Sequence, residues 1–352
     1  MKDKILKALS NVIDPDLHKD IVSLGMVQDI KIEGKKVSFR FVLTTPACPM
    51  KSKFVEDCTK EIHKHVDDSL EVNIKFDSKV EHQKRDSEKK MSKVKNLIAI
   101  ASGKGGVGKS TVAVNIAISL SKLNAKIGII DADINGPSIP KMLGVEDERP
   151  MVKTIDKKNI MVPIENHGIK IMSIGNLLPP DQPVIWRGPL LSSGLRQLII
   201  DTDWGELDYL IVDLPPGTGD IHITLCQEMP LTAAVVVTTP QHVATGDTAR
   251  TINMFKQKSI NVPVIGVVEN MSYFSPKELP DNKYYIFGEG GGQKLANQFN
   301  IPLMGQLPLV MGVVDGSDKG LPAVLDDENA ILIKEFDSIS MKVAQQISIL
   351  NA

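Results

Sequence analysis

Seven short apolar runs recur between residues 97 and 308, and each is separated from the next by a segment long enough to form a helix. A strand that is apolar along its whole length is buried on both faces, which is typical of a parallel sheet covered by helices. The spacing leaves room for helical crossovers. The sequence therefore predicts an α/β fold with a doubly wound, mainly parallel sheet. The runs are 97–102, 126–133, 169–175, 209–216, 233–240, 264–270 and 302–308.

The first 76 residues follow a different pattern, in which helical and alternating apolar spacings mix. A helix-like run stops before Asp14-Pro15, because the residue before proline avoids helical geometry. This part therefore reads as a small α+β domain. Its later predicted elements are strands at 26–32 and 36–43 joined by a turn at 33–35, a helix at 51–66 and a strand at 70–76.

Between the two patterns lies a charged segment, residues 77–95, with seven basic and four acidic side chains. Such a segment buries too little apolar surface to offset the entropy that ordering would cost. We therefore expect a small domain over residues 1–76, a tether over 77–95 and a larger domain over 96–352. A nucleic-acid-binding arm is the other interpretation of the tether. However, the formal net charge of −2 favours neither nucleic acid nor an anionic membrane as a partner.

The chain contains three cysteines, Cys48, Cys58 and Cys226. So few cysteines fit a reducing compartment. The N-terminal residues lack the apolar core of a secretory signal, and no apolar run reaches the roughly 20 residues that a membrane-spanning helix requires. We therefore expect a soluble, cytoplasmic protein.

A glycine-rich segment follows the first apolar run and precedes a helical pattern. It reads GKGGVGKS and satisfies the spacing G-x-x-x-x-G-K-[ST]. Glycines let backbone N–H groups turn toward a polyphosphate, and the next helix directs its positive end at the same point. Lys109 would then contact the β and γ phosphates, Ser110 would bind Mg²⁺ and Thr111 would lie by the α phosphate. The predicted phosphate-binding residues are Gly103, Lys104, Gly105, Gly106, Val107, Gly108, Lys109, Ser110 and Thr111.

The loop carries a second lysine, Lys104, that the ordinary motif does not require. The form KGGxGK resembles that of the deviant Walker-A ATPases, which include the MinD, ParA and nitrogenase iron-protein families. The resemblance implies a catalytic role for Lys104, in which it crosses the interface of an ATP-bound homodimer and stabilises the partner's transferring phosphoryl group. The alternative is a lysine that is only exposed on the surface.

Carboxylates end two of the apolar runs: Asp131 and Asp133 close the second, and Asp213 closes the fourth. Because the carboxyl ends of parallel strands share one edge of a sheet, we expect these groups near the phosphate loop. Asp213 would then act as a Walker-B carboxylate around Mg²⁺, or alternatively as a helix cap. By the same resemblance, Asp133 is the catalytic residue that positions the attacking water and Asp131 lies nearer the metal, so Ser110, Asp131 and Asp213 are the predicted Mg²⁺ residues.

Asn270 ends the sixth run. An amide at this place is suited to read the amino group of adenine, which would make the nucleotide ATP. A simple turn residue is the alternative, because asparagine is also favoured in turns.

Further segments agree with one family. They are GKGGVGKS, DADINGPSIP, WRGP at 186–189, DLPPGTGD and ENMSYF, with IDPDLHKDIVSLGMV and LTTPACP near the N-terminus. The set resembles the Mrp (ApbC) iron-sulfur cluster carriers, and the small domain resembles the SufT-type module. The resemblance implies an ATPase that works as a homodimer, holds a labile iron-sulfur cluster between its subunits and passes it to apoproteins or assembly factors.

One part of that pattern is missing. Many members carry a Cys-x-x-Cys pair after ENMSYF, where this chain reads SPKE at 275–278. Iron-sulfur clusters require thiolate ligands, usually four. Cys48 is the remaining candidate thiol, because it is expected at a strand-to-helix junction that favours the thiolate, whereas Cys58 and Cys226 are expected to be buried. A nucleotide-switched scaffold or positioning ATPase of the MinD/ParA kind, without a cluster, is the alternative function.

Overall fold

The chain forms two compact units in the computed structural model. One contains residues 1–81 with 344–352, and the other contains residues 82–343. The structure describes residues 1–43, 50–78, 91, 93–133, 136–155, 158–177, 194–195, 198–276, 279, 282–310 and 312–351. Most of the predicted tether, the segment 186–189 and Cys48 therefore lie outside the described residues.

The smaller unit mixes helices with a three-stranded sheet, which confirms the predicted α+β class. Its elements are α1 (Lys2–Leu9), β1 (Ile13–Asp14), β2 (Lys19–Asp20), β3 (Val27–Glu33), β4 (Lys36–Leu43), α2 (Lys51–His65) and β5 (Glu71–Ser78). β3 pairs antiparallel with β4, and β5 pairs parallel with β4 on its other side. The short β1–β2 ladder has no counterpart in the sequence prediction. Ile13, expected on the first helix, is 53% exposed, because α1 ends at Leu9.

The core of this unit lies between α2 and one face of the sheet. Alternation along β4 turns Phe39 and Phe41 inward, and both are buried. Phe54 of α2 lies with its ring centroid 4.9 Å from that of Phe41. Cys58 follows one turn later and is also buried, where burial raises the pKa of its thiol to about 12. This cysteine is therefore a core side chain, as the sequence predicted.

The larger unit is built on a mainly parallel sheet with helices, which confirms the predicted fold class. Its strands are β6 (Val94–Ser102), β7 (Ile127–Asp131), β8 (Met151–Ile155), β9 (Lys158–Val162), β10 (Ile164–Asn166), β11 (Ile169–Ser173), β12 (Leu207–Asp213), β13 (Ala233–Thr238), β14 (Val264–Glu269) and β15 (Leu303–Gln306). Eight of these described strands form one sheet in the order β10-β11-β7-β12-β6-β13-β14-β15. All seven predicted runs are parallel strands of this sheet.

Seven further described α-helices come after α1 and α2 along the chain and follow the loops at the strand ends. They are α3 (Lys109–Lys122), α4 (Ile139–Met142), α5 (Asp220–Glu228), α6 (His242–Phe255), α7 (Gly291–Phe299), α8 (Gly312–Asp318) and α9 (Ala330–Asn351). α9 lies directly against the sheet, because a Cβ added to Gly305 of β15 would stand 2.6 Å from Cγ1 of Ile339. Across the part of the chain that the structure describes, none of the helices has both the length and the apolar character needed to cross a membrane.

Two features of the larger unit were not predicted. β10 is an antiparallel edge strand joined to β11 by a turn at His167 and Gly168, which both have positive φ. β8 and β9 form a separate antiparallel hairpin. These segments are short and mix polar with apolar residues, so they lack the continuous apolar character that revealed the parallel strands.

Candidate functional site

The glycine-rich loop joins β6 to α3 at the carboxyl edge of the sheet. Gly106 and Gly108 have φ of 80° and 82°, a left-handed conformation that favours glycine. Gly108 is also the N-cap of α3, so the first helical residue is Lys109. At the start of the loop, a Cβ on Gly103 would lie 2.2 Å from the backbone carbonyl carbon of Asp247 in α6. The loop therefore requires glycine where it bends and where it lies against α6.

The lysine and the hydroxyl of the loop meet the carboxylate at the end of β12. Lys109 Nζ donates to Asp213 Oδ1 at 2.7 Å, and Ser110 Oγ donates to Asp213 Oδ2 at 2.6 Å. Asp133 Oδ2 lies 3.7 Å from the same Nζ. Lys109 and Asp213 are buried. Residues predicted from three separate segments are thus brought together in one cluster.

Asp131 lies on the neighbouring strand, where the sheet register pairs it with Asp213. Its carboxylate is fully buried. Oδ1 accepts a hydrogen bond from the Asp133 N–H at 3.1 Å, and Oδ2 accepts from the Ile139 N–H and the Ser173 hydroxyl, each at 3.2 Å. Asp131 is therefore bonded to its own loop and to β11.

Three carboxylates and one ammonium group share this buried site. Burial, followed by the Asp213 carboxylate, raises the pKa of Asp131 to about 8. Burial also raises the pKa of Asp213, although the Lys109 ammonium acts in the opposite direction. A divalent cation would favour the ionised form of both acids. Carboxylate and hydroxyl oxygens are the donors that Mg²⁺ prefers, so the residues fit this ion.

Asn270 lies against the phosphate loop. Its Nδ2 donates to the Val107 carbonyl oxygen at 2.9 Å, and a Cβ on Gly108 would stand 2.2 Å from the same Nδ2. The next residue, Met271, has a φ of 54°. The bond to Val107 uses one of the two N–H groups of Nδ2, so the other N–H and Oδ1 remain for a ligand.

Lys104 and Thr111 flank the cluster. The Lys104 side chain is exposed, and its carbonyl accepts from the Ser102 hydroxyl at 3.0 Å. Thr111 lies in the first turn of α3, where its carbonyl accepts from Asn115 Nδ2 at 2.8 Å. The exposed Lys104 is not a member of the buried cluster around Asp213.

Two buried polar residues lie near the site. Glu269 accepts hydrogen bonds from the Gly292 N–H and from Gln306 Nε2, and so joins β14 to the start of α7. This role for the acid beside Asn270 was not predicted from the sequence. His222, in α5, is 2% exposed, and its ring meets Phe255 edge-on. Burial lowers the pKa of His222 to about 4.

The described thiols are not arranged to hold a metal. Cys226 is buried, like Cys58, and burial raises its pKa to about 12. In the described ranges, no three His, Cys, Asp or Glu side chains are grouped to hold a metal ion by themselves. At the place of the missing cysteine pair, Ser275 Oγ donates to the Asn282 carbonyl oxygen at 2.6 Å. Cys48 lies outside the described residues.

A glycine loop that opens a helix at the carboxyl edge of a parallel sheet, with a lysine and a hydroxyl facing a strand-end carboxylate, defines a P-loop NTPase. Residues 93–344 match the ParA family model, which is described as the NUBPL iron-transfer P-loop NTPase. Residues 2–75 match the model described as an iron-sulfur cluster assembly protein. The chain belongs to the ParA/NUBPL family of iron-transfer P-loop NTPases, which confirms the resemblance seen in the sequence.

Two relatives are similar to this chain over nearly the whole length of both proteins. An iron-sulfur cluster carrier protein of Synechocystis sp. is 47% identical over 98% of both chains. One of Deinococcus radiodurans is 44% identical over 99% of this chain and 96% of its own. A nucleotide-binding protein of Archaeoglobus fulgidus, solved in complex with ADP, is 38% identical, with a TM-score of 0.58 over 67% of this chain and 90% of its own. The MinD ATPase of Pyrococcus furiosus, 20% identical with a TM-score of 0.52 over 70% of this chain and 98% of its own, shares the fold.

Proposed function

We propose that the chain binds and hydrolyses ATP as a homodimer and carries iron-sulfur clusters to apoproteins or assembly factors. The observation that carries the nucleotide part is the pair of bonds from Lys109 and Ser110 to Asp213. Relatives named as iron-sulfur cluster carriers support the cargo, because they match this chain from end to end. We also propose the division into a small domain at 1–76, a tether at 77–95 and the NTPase domain at 96–352.

The phosphates of ATP would take the place of Asp213 as the partner of Lys109. An ammonium group held by a carboxylate is already desolvated and oriented, so it exchanges one anion for another at the same point. The residues proposed to hold Mg²⁺ are Ser110 and Asp213, with Asp131 adding negative charge from the next strand. When bound, Mg²⁺ supplies charge neutralisation for the transferring phosphoryl group.

Three further residues would complete the hydrolytic site. Asp133 would orient the attacking water, and the 3.7 Å between its Oδ2 and Lys109 Nζ supports this role, because Lys109 would bind the γ phosphate. Asn270 Oδ1 accepts hydrogen bonds, which suits the amino group of adenine. Lys104, exposed at the tip of the loop, would act on the nucleotide of a second copy.

The cluster is cargo, and thiolates must hold it. Because Cys58 and Cys226 are buried with raised pKa values, we propose Cys48 as the thiol that contacts the cluster. The burial of Cys58 and Cys226, together with Ser275 at the place of the missing cysteine pair, favours a second candidate function. In that function the chain is a nucleotide-switched scaffold that acts by protein contact alone.

Two measurements test these proposals. At low enzyme concentration, the rate of ATP hydrolysis should rise with the square of that concentration. Hydrolysis should vanish in Lys109→Ala. It should fall strongly in Lys104→Ala, although this variant should still bind ATP. Equal loss of binding in both variants would refute the role across a dimer. Anaerobic reconstitution with iron and sulfide should give visible absorption in the wild-type chain and in Cys58→Ala, and none in Cys48→Ser. ATP hydrolysis without absorption in any of the three would favour the scaffold.

A further inference from the structure

Both ends of the loop between β7 and α4 are held by the same carboxylate. The N–H of Asp133, at the start of the loop, donates to Asp131 Oδ1 at 3.1 Å. The N–H of Ile139, where α4 begins, donates to Asp131 Oδ2 at 3.2 Å. One side chain thus bonds the backbone at Asp133 and at Ile139, two described residues that lie six positions apart.

A third contact joins this carboxylate to β11. Ser173 Oγ donates to Asp131 Oδ2 at 3.2 Å and accepts from the Gly175 N–H at 3.0 Å. A Cβ on Gly175 would stand 3.1 Å from Cβ of Pro137, so the end of β11 lies close against the loop. The loop is therefore held from inside by Asp131 and from outside by the turn after β11.

The donors around Asp131 differ in kind from those around Asp213. Lys109 and Ser110, which bond to Asp213, are side chains that phosphate and Mg²⁺ compete for. The donors to Asp131 are two backbone N–H groups and a hydroxyl of β11. A carboxylate that accepts three such bonds has used most of its lone pairs, and binding a cation would require it to release the loop.

We propose that Asp131 is a positioning residue for ATP hydrolysis: it holds the backbone at Asp133 and Ile139 so that Asp133 stays beside the phosphate site, and it is not itself a ligand of Mg²⁺. The inference rests on the proposed function, because Asp133 acts only if ATP is hydrolysed here. Asp131 accepts the backbone N–H of Asp133, and the carboxylate of Asp133 lies 3.7 Å from Lys109 Nζ. Asp131 would therefore affect hydrolysis by positioning Asp133.

The test compares steady-state ATP hydrolysis in the wild-type chain, Asp131→Ala, Asp133→Ala and the double variant, with Ser173→Ala as a variant that loses only the contact to β11. We expect kcat to fall about tenfold or more in Asp131→Ala, with KM for ATP and the Mg²⁺ concentration for half activation changed less than about twofold. The double variant should be no slower than Asp133→Ala, because Asp131 acts through Asp133. Ser173→Ala, which removes the third contact but leaves both backbone bonds to Asp131, should lower kcat less than Asp131→Ala does.

Three results would overturn the inference: a Mg²⁺ requirement raised about tenfold in Asp131→Ala, losses that multiply in the double variant, or wild-type turnover in Asp131→Ala. Hydrogen exchange on the wild-type chain needs no variant to fold. The amides of Asp133 and Ile139 should keep their protection when Mg²⁺ and ADP are added, and loss of that protection would mean that Asp131 leaves the loop for the metal. If the wild-type chain neither binds nor hydrolyses ATP, the proposed function fails; if it does both, these results decide the inference alone.

Discussion

Lys109 Nζ lies 2.7 Å from Asp213 Oδ1, so the lysine of the phosphate loop is bound to the carboxylate that ends β12. Asp213 also accepts the hydroxyl of Ser110, and a polyphosphate must compete with this carboxylate for both groups. The same side chain that would help to hold Mg²⁺ therefore opposes the binding of a nucleotide without the metal.

Asp213→Asn should separate these two effects. Removing the negative charge should tighten ADP binding in EDTA by about tenfold, because roughly 1.4 kcal/mol of repulsion and competition is lost. The same variant should lose Mg²⁺-dependent ATP hydrolysis. Titration calorimetry and a phosphate-release assay measure the two. Weaker ADP binding in EDTA than in wild type would contradict the competition described here.

Gly103→Ala should destabilise the larger unit. Its Cβ would stand 2.2 Å from the Asp247 carbonyl carbon, so the backbone of α6 or of the loop must move. We expect a loss of about 1–3 kcal/mol in the free energy of unfolding. Gly105→Ala is the matched control, since the nearest atom to its Cβ is Pro216 Cγ at 3.9 Å. Urea unfolding without nucleotide measures both, and equal stability of the two variants would be the contrary result.

The two buried cysteines should be unreactive in the folded chain. Burial raises the pKa of both Cys58 and Cys226 to about 12, so almost none of either thiol is ionised at pH 8. Iodoacetamide followed by peptide mass spectrometry should modify these two only after urea is added. Cys48 should be modified without urea. Rapid labelling of Cys58 or Cys226 in the native chain would exclude the buried positions described here.

His222 should make the larger unit sensitive to acid. Its pKa is lowered from 6.5 to about 4, so between these values the unfolded chain binds a proton that the folded chain does not. The contribution of His222 to the free energy of unfolding is therefore complete above pH 6.5 and is lost as the pH falls toward 4. Between pH 7.5 and 5 the loss should be about 2 kcal/mol. Urea unfolding of His222→Leu should lack this part of the pH dependence, and identical pH profiles would argue against it.

The sheet was predictable because a strand buried on both faces leaves a continuous apolar run, as in 233–240. The phosphate loop was predictable because its glycines and Lys109 keep a fixed spacing. The edge strand β10 was not, because it spans three residues and its burial depends on pairing with β11. Local sequence patterns therefore predicted the strands that are buried on both faces.

The partners of the site residues required the tertiary structure. That carboxylates end β7 and β12 is visible in the sequence, but the pairing of Asp131 with Asp213 depends on strand order. The hydrogen bonds from Asp133 and Ile139 to Asp131 depend on the path of a loop whose sequence resembles an ordinary turn. The burial of His222 against Phe255 also required the structure, because a polar side chain near a glycine-rich segment gives no local sign of it.

The binding of ATP to the loop at residues 103–110 is tested most directly by an equilibrium titration of the wild-type chain, Lys104→Ala and Lys109→Ala with ATP and Mg²⁺. Saturable binding of one ATP per chain to wild type and Lys104→Ala, with loss of at least about a hundredfold in affinity in Lys109→Ala, is the predicted result. No binding to the wild-type chain, or equal binding to Lys109→Ala, would contradict the account.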